Sequence, residues 1–295
     1  MSLGVLNNIA AVYAENNLNN TQSGLQTTLE QLSSGSRINS GADDAAGLSL
    51  VDGLGANSAA LTQSSDNANQ GVGLLQVADG ALSQVTNLLN RAVTLATEAS
   101  NGTLTTTQDD AANQEYQSIL AEISNIGSTA TFNGNKVFND TTVNIYSGDA
   151  TSTGGATDAL KINSLTDANV GDAGGTITST GTTISYTVGT GESLTGTSLT
   201  SATNAQTALT DINTAITDVA AQRGYLGSQI NTLNAISGVD STEQTNVLSA
   251  QNSIQATDFG QATSNLSKFE ILEQTGISAL AQANSVQQEV TKLLQ

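Results

Sequence analysis

One apolar residue recurs every seven along residues 54–96: Leu54, Leu61, Ala68, Leu75, Leu82, Leu89 and Ala96. Companions three residues further on include Ala78, Val85, Ala92 and Ala99. A seven-residue spacing with a companion at three places one narrow apolar stripe along a helix. No proline interrupts it, because the chain has none. The pattern predicts a helix over about 45–99. At ~1.5 Å per residue it would be roughly 80 Å long, far beyond a globular helix, so it needs a partner helix along its length. Asn101-Gly102-Thr103 supplies a stop, with Gly102 available for a left-handed cap.

The same spacing recurs at both ends. Ala11, Leu18, Leu25 and Leu32 repeat every seven, up to a break at Ser33-Ser34-Gly35-Ser36. Glu15 and Gln22 interrupt the companion row, so this seam is weak. A shorter helix carries Ala112, Tyr116, Ile119, Ile123 and Ile126, with Asp109 and Asp110 expected to cap its start. Helical spacing returns at Leu209, Ile212, Ile216, Val219, Arg223, Leu226, Ile230 and Leu233, and Gly238 is expected to break it. A last helix, starting near Ser241 or later, carries Phe269, Leu272, Gly276, Ala279, Ala283, Val286, Val290 and Leu293. Small residues there give little burial, so the terminal helices are expected to need neighbours.

Between the helices the composition turns to Thr, Ser, Gly and Asp. Phe132-Asn133-Gly134-Asn135-Lys136 reads as strand and tight turn. Short alternating runs at Val143/Ile145, Leu160/Ile162, Ile177 and Ile184/Tyr186/Val188 read as strands. The expected fold is therefore mainly α: long antiparallel coiled-coil helices formed by both chain ends, with a small β-rich hairpin region in the middle.

Composition excludes several chemistries. With no His and no Cys, the usual zinc, haem and blue-copper ligand sets are missing, as are Ser-His-Asp triads and Cys-His pairs. Seven Lys+Arg against 26 Asp+Glu give a net charge of −19. That argues against nucleic acid and anionic membrane as partners. No run approaches the ~18 apolar residues of a membrane span. Met1-Ser2-Leu3-Gly4-Val5-Leu6 has neither the basic run nor the long apolar run of a cleavable secretory signal.

Several groups invite a chemical reading. Asp43 and Asp44 are adjacent carboxylates, but nothing beside them supplies a second catalytic group, and a helix start explains them. Gly154-Gly155 and Gly171-Asp172-Ala173-Gly174-Gly175 lack a phosphate-loop lysine and EF-hand spacing, so they read as turns. A carboxylate-only glycosidase in the middle region is conceivable but disfavoured, because Glu192 is the sole Glu between 140 and 204. Arg223 stands on an apolar stripe. Either its stem covers the seam, or its guanidinium forms an inter-helix or inter-subunit ion pair. Arg37 is either a linker charge or a contact. No catalytic, cofactor or metal residue is expected.

The order of residues resembles bacterial flagellin. The N-terminal likeness runs through Asn16-Asn17-Leu18-Asn19-Asn20, Leu32-Ser33-Ser34-Gly35, Arg37-Ile38-Asn39-Ser40 and Asp43-Asp44-Ala45-Ala46-Gly47-Leu48. It continues in Leu61-Thr62-Gln63, Asn67-Ala68-Asn69, Gly80-Ala81-Leu82 and Phe132-Asn133-Gly134. At the other end it includes Ile271-Leu272-Glu273-Gln274, Leu280-Ala281-Gln282-Ala283-Asn284 and Leu293-Leu294. Where many members carry proline after Gln282-Ala283-Asn284, this chain has Ser285-Val286-Gln287-Gln288, which continues a helix better.

The resemblance implies a structural, non-enzymatic subunit that polymerises into the extracellular flagellar filament after export through the flagellar type III apparatus. It implies an inner terminal coiled coil from 1–44 plus 251–295, a long-helix bundle from 45–139 plus 205–250, and a β-rich region at 140–204. Subunit contacts are expected from Leu18, Leu25, Leu32, Arg37, Asp43, Asp44, Arg223, Phe269, Leu272, Val286, Val290 and Leu293. The resemblance also places Arg91, Leu95 and Glu115 on a surface used for axial subunit contacts and by some animal innate receptors. Val93 and Thr94 depart from the family's charged pair there. Implied partners are further copies of the chain, an export chaperone, the filament cap and the hook-junction proteins. The alternative within the same axial family is a hook–filament junction adaptor. Subunits of charge −19 repel, so raising ionic strength from low to moderate is expected to accelerate polymerisation. Rates that stay flat or fall, followed by light scattering, would contradict this. With no His, no side chain has an ordinary pKa near neutrality, and no pH switch of assembly is expected.

Overall fold

The computed structural model describes residues 8–149, 156–180 and 183–293, without the side chains of residues 156, 180, 287 and 290–293. The helices are α1 (Ile9–Ser34), α2 (Ala45–Ser100), α3 (Thr106–Thr129), α4 (Ala202–Gln255) and α5 (Phe259–Leu293). The strands are β1 (Thr131–Phe132), β2 (Asn135–Lys136), β3 (Thr142–Ser147), β4 (Ala156–Lys161), β5 (Thr176–Thr180) and β6 (Thr183–Thr187). The chain divides into two compact units, 1–55 with 246–295, and 56–245.

In the first unit, α1 and α5 pair antiparallel. Asn8 Nδ2 donates to the Ala283 carbonyl at 2.9 Å, Leu18 lies beside Gly276, and Gly24 faces the Phe269 ring. The other side of the Asn8 amide caps α1, its Oδ1 accepting from Ala11 N–H at 3.1 Å. Gly35 closes α1 at φ 71°, donating to the Gln31 carbonyl, as the Ser/Gly break predicts. The expected break at Gly238 does not occur. α4 runs on to Gln255 and yields to α5 at residues 256–258. A single glycine costs a helix only about 1 kcal/mol. What starts α5 is Asp258, whose Oδ1 accepts from Gly260 and Gln261 N–H groups.

In the second unit, α2 and α4 also run antiparallel. Gln244 donates to Thr62, Ser64 to Asp240, Ser65 and Ser237 share a hydrogen bond, and Arg223 meets Asp79. As the α2 number rises, its α4 partner's number falls. The heptad row forms the core: Leu61, Ala68, Leu75, Leu82, Leu89 and Ala96 are at most 1% exposed. Burying a leucine of this kind stabilises by about 1.5–3 kcal/mol. On α4 the equivalent row is Ala205, Ile212, Val219, Leu226 and Leu233, all fully buried. Leu209, Ile216 and Ile230 flank it, half-buried.

Gly71 sits on the α2 row where a Cβ would come 2.9 Å from Leu233, so the missing side chain lets the layers approach. α3 adds Tyr116, Ile119, Leu120 and Ile123 to the same core. Its start is not capped by Asp109 or Asp110. Gln108 Oε1 accepts from the Thr105 N–H and hydroxyl instead, because the helix begins three residues earlier than the acids suggest.

The β1–β2 hairpin turns on Asn133 (φ 49°) and Gly134 (φ 77°), the two positive angles an Asn-Gly turn provides. The other strands form one sheet in the order β3-β4-β6-β5. β3–β4 and β5–β6 are antiparallel, while β4–β6 is parallel, a pairing that alternation alone does not reveal. Tyr186 of β6 stacks on Tyr225 of α4, centroids 3.5 Å apart and planes 14° apart.

Candidate functional site

The residues expected to make contacts divide by what they already touch. Leu18, Leu25 and Leu32 are half-buried along the inner row of α1, joined by Thr28, which is 4% exposed. Thr28 satisfies its hydroxyl on the Gly24 carbonyl at 2.8 Å, which is how a polar residue fits that row. Phe269 fills the notch left by Gly24, where a Cβ would lie 2.7 Å from its ring.

The inner row of α5 is not quite the predicted one. Ala262, Leu266, Phe269, Glu273, Gly276, Leu280 and Ala283 are the less exposed positions. Leu272 and Val286, each 41% exposed, point elsewhere. The side chains of Val290 and Leu293 lie outside the described residues.

The α1–α5 pair therefore uses one seam and leaves a second apolar set uncovered. Ile9 (63%), Tyr13 (68%), Phe259 (57%) and Ile271 (64%) are its most exposed members. Val12, Leu29, Leu272, Ile277 and Val286 extend the set. Apolar surface of this extent on a thin helical pair favours burial against further chains.

The loop between α1 and α2 is built by its polar residues. The Arg37 guanidinium donates twice to the Ile254 carbonyl, at 3.0 and 3.3 Å, and its N–H donates to Gln255 at 2.7 Å. A cation on the last carbonyls of α4 meets the negative end of the helix dipole. Asp43 accepts from the Asn39 and Ser40 N–H groups and the Ser40 hydroxyl, which hold its carboxyl below the ordinary value. Asp44 Oδ1 accepts from Gly47 N–H at 2.8 Å and caps α2. The adjacent acids thus do separate structural jobs.

On the second unit, Arg91 and Glu115 form a two-point ion pair at 2.7 and 3.0 Å on exposed surface. The guanidinium hydrogen bond lowers the Glu115 carboxyl. Leu95, one turn on, is only 4% exposed and belongs to the core, so Arg91 and Glu115 alone offer their side chains there. Arg223 Nε lies 2.7 Å from Asp79 Oδ1, an inter-helix ion pair within the chain. Of the two readings for Arg223, the pairing reading describes it.

Sequence reasoning did not single out Gly24, Asn8, Asp258 or the buried acid Asp158, and it read Asp172 only as part of a Gly-rich turn. The capping acid and amide follow the Asx-before-helix signal. Gly24 and Asp158 carry no local signal.

Residues 5–142 match the bacterial flagellin N-terminal helical region, and residues 209–294 match the bacterial flagellin C-terminal helical region. Flagellin from Listeria monocytogenes is 32% identical over 293 residues, 97% of this chain and 98% of that protein. Flagellin B of Vibrio cholerae is 38% identical over 139 residues, 47% of this chain; the match spans 37% of the Vibrio protein's length. The crystal structure of Bacillus cereus flagellin shares 26% identity over 59% of this chain and 88% of that one, with a TM-score of 0.45. Matched at both ends over most of its length, the chain belongs to the bacterial flagellin family.

Proposed function

We propose that this chain is a structural subunit that polymerises into the helical flagellar filament and catalyses no reaction. The observation that carries the reading is the uncovered apolar set on α1 and α5, from Ile9 to Val286. A pair of long helices with one thin seam gains most of its burial only when further copies cover the second set. In that reading residues 1–44 with 251–295 form a terminal coiled-coil domain, 45–139 with 205–250 a long-helix bundle, and 140–204 a β-rich region. Leu272 and Val286, exposed on α5, face neighbouring subunits. Arg91 and Glu115 act in axial contacts. Export chaperone, filament cap and hook-junction proteins meet the same ends before and after assembly.

Deleting residues 272–295 tests the role of α5. Electron microscopy is expected to show no filaments under conditions where the intact chain polymerises. Circular dichroism is expected to keep the helical signal of α2, α3 and α4. Filaments of normal length from the truncated chain would end the assignment.

A further inference from the structure

β4 is an interior strand, with β3 antiparallel on one side and β6 parallel on the other. Asp158 stands on it opposite Ile145 of β3 and Ile184 of β6. It shares the core-facing side of the strand with Leu160, two residues along. Asp158 is 2% exposed and Leu160 1%. Among the described residues, neither oxygen of the Asp158 carboxyl has a hydrogen-bond partner.

Among the described residues, the surroundings offer no counter-charge. Lys161, the cation of β4, has its ammonium on Asp140 at 3.0 Å. From α4 comes Tyr225, 7% exposed, its hydroxyl directed at the Lys161 backbone of β4. One turn along α4, Gln229 Oε1 is buried and unpartnered too. From β6 comes Tyr186, stacked on Tyr225, with its hydroxyl committed to Asp172. Asp218 of α4 is buried with one oxygen unpartnered. The titratable groups around this layer are thus two phenols and further acids.

A carboxylate held there has lost water and gained no cation, while a protonated carboxyl is neutral and brings an O–H donor. We propose that the sheet carries an acid-dependent latch: with Asp158 protonated the sheet closes on α4, and loss of that proton opens β4 to water.

Burial pushes the Asp158 carboxyl up to about 6, from 3.8. A raised folded-state value means that the closed sheet holds its proton between about pH 4 and 6 while an opened one has lost it. Closure therefore weakens as pH rises through that window and is level above it. Asp218, raised chiefly by burial, acts in the same direction. The latch belongs to the single chain and stands apart from polymerisation.

Hydrogen exchange on the intact monomer, normalised for the intrinsic pH dependence of exchange, tests it. Protection of β4 and β6 amides is expected to fall about 20-fold between pH 4.5 and 6.5. Amides of α3 serve as the reference and should show no comparable fall. Asp158→Asn should hold β4 protected at pH 6.5 with less than about a 3-fold change across the window. Asp158→Leu, which removes the polar group altogether, gives the same readout if the amide variant folds poorly. Asp140→Asn, altering an exposed acid nearby, should retain the full fall. A wild-type sheet equally protected at both pH values, or an Asp158→Asn sheet with the wild-type fall, overturns the latch.

Discussion

Asp172→Ala is expected to cost the second unit about 3–5 kcal/mol, seen as a lower urea or thermal midpoint. Asp172 is 1% exposed and accepts three hydrogen bonds. Gly189 and Gly175 N–H groups donate to Oδ1 at 2.7 and 3.1 Å, and the Tyr186 hydroxyl donates to Oδ2 at 2.6 Å. The alanine leaves two amide donors and a phenol buried with nothing to accept them. Burial, and then the hydrogen bond to Asp172, push the Tyr186 phenol up, so it stays a donor in any working buffer. The loop also docks on α4 through the Asp172 N–H, which donates to the Asp218 carbonyl at 3.2 Å. Asp172→Asn keeps one acceptor oxygen and should recover part of the loss. A cost under about 1 kcal/mol for the alanine would show that the backbone alone sets this loop.

Gly24→Leu should be equally decisive for the first unit. Any Cβ at residue 24 meets the Phe269 ring at 2.7 Å, and the remaining leucine carbons reach further into the same space. Either the ring swings out to solvent or α1 moves away from α5. Overpacking of this kind typically costs about 1–3 kcal/mol, and a seam of half-buried residues has little in reserve. Loss of filament formation is expected, with the second unit's melting transition unchanged. Filaments from Gly24→Leu at the wild-type rate would mean that Phe269 does not need the notch. Gly24→Ala should fall between the two, since a lone methyl demands a smaller shift of the ring than a leucine side chain does.

The helices were legible because their signal is periodic and local. The seven-residue row of α2 is the buried row to within a residue, and Gly35 and Gly102 end their helices with positive φ as their type suggests. What escaped depends on partners distant in sequence. Ser64 on the α2 row looks like a defect until Asp240, on α4, accepts its hydroxyl at 2.5 Å. Glu273 and Leu280 take seam positions that Leu272 and Ala279 seemed to claim, because the rotation of α5 is set by where Phe269 finds Gly24. The lack of histidine suggested that nothing titrates near neutrality. That reasoning concerns ordinary values; burial lifts the Asp158 carboxyl above its own, in an environment written by β3, β6 and α4 together. The Arg91–Glu115 pair joins α2 to α3 across a short loop, and only the family resemblance had drawn attention to it.

The amide of Asn8 reaches the carbonyl of Ala283, 275 positions away. Its neighbours in the same unit are little nearer: Thr257 meets Gln31 across 226 positions, and Arg37 meets Ile254 across 217. Closing such loops costs entropy before any contact repays it, and non-local pairing slows folding. α1 therefore has no partner of its own until almost the whole chain is present in one place. Whichever end arrives first must wait as an unpaired amphipathic helix, and the first unit is completed last, on a clock set by the arrival of the other terminus.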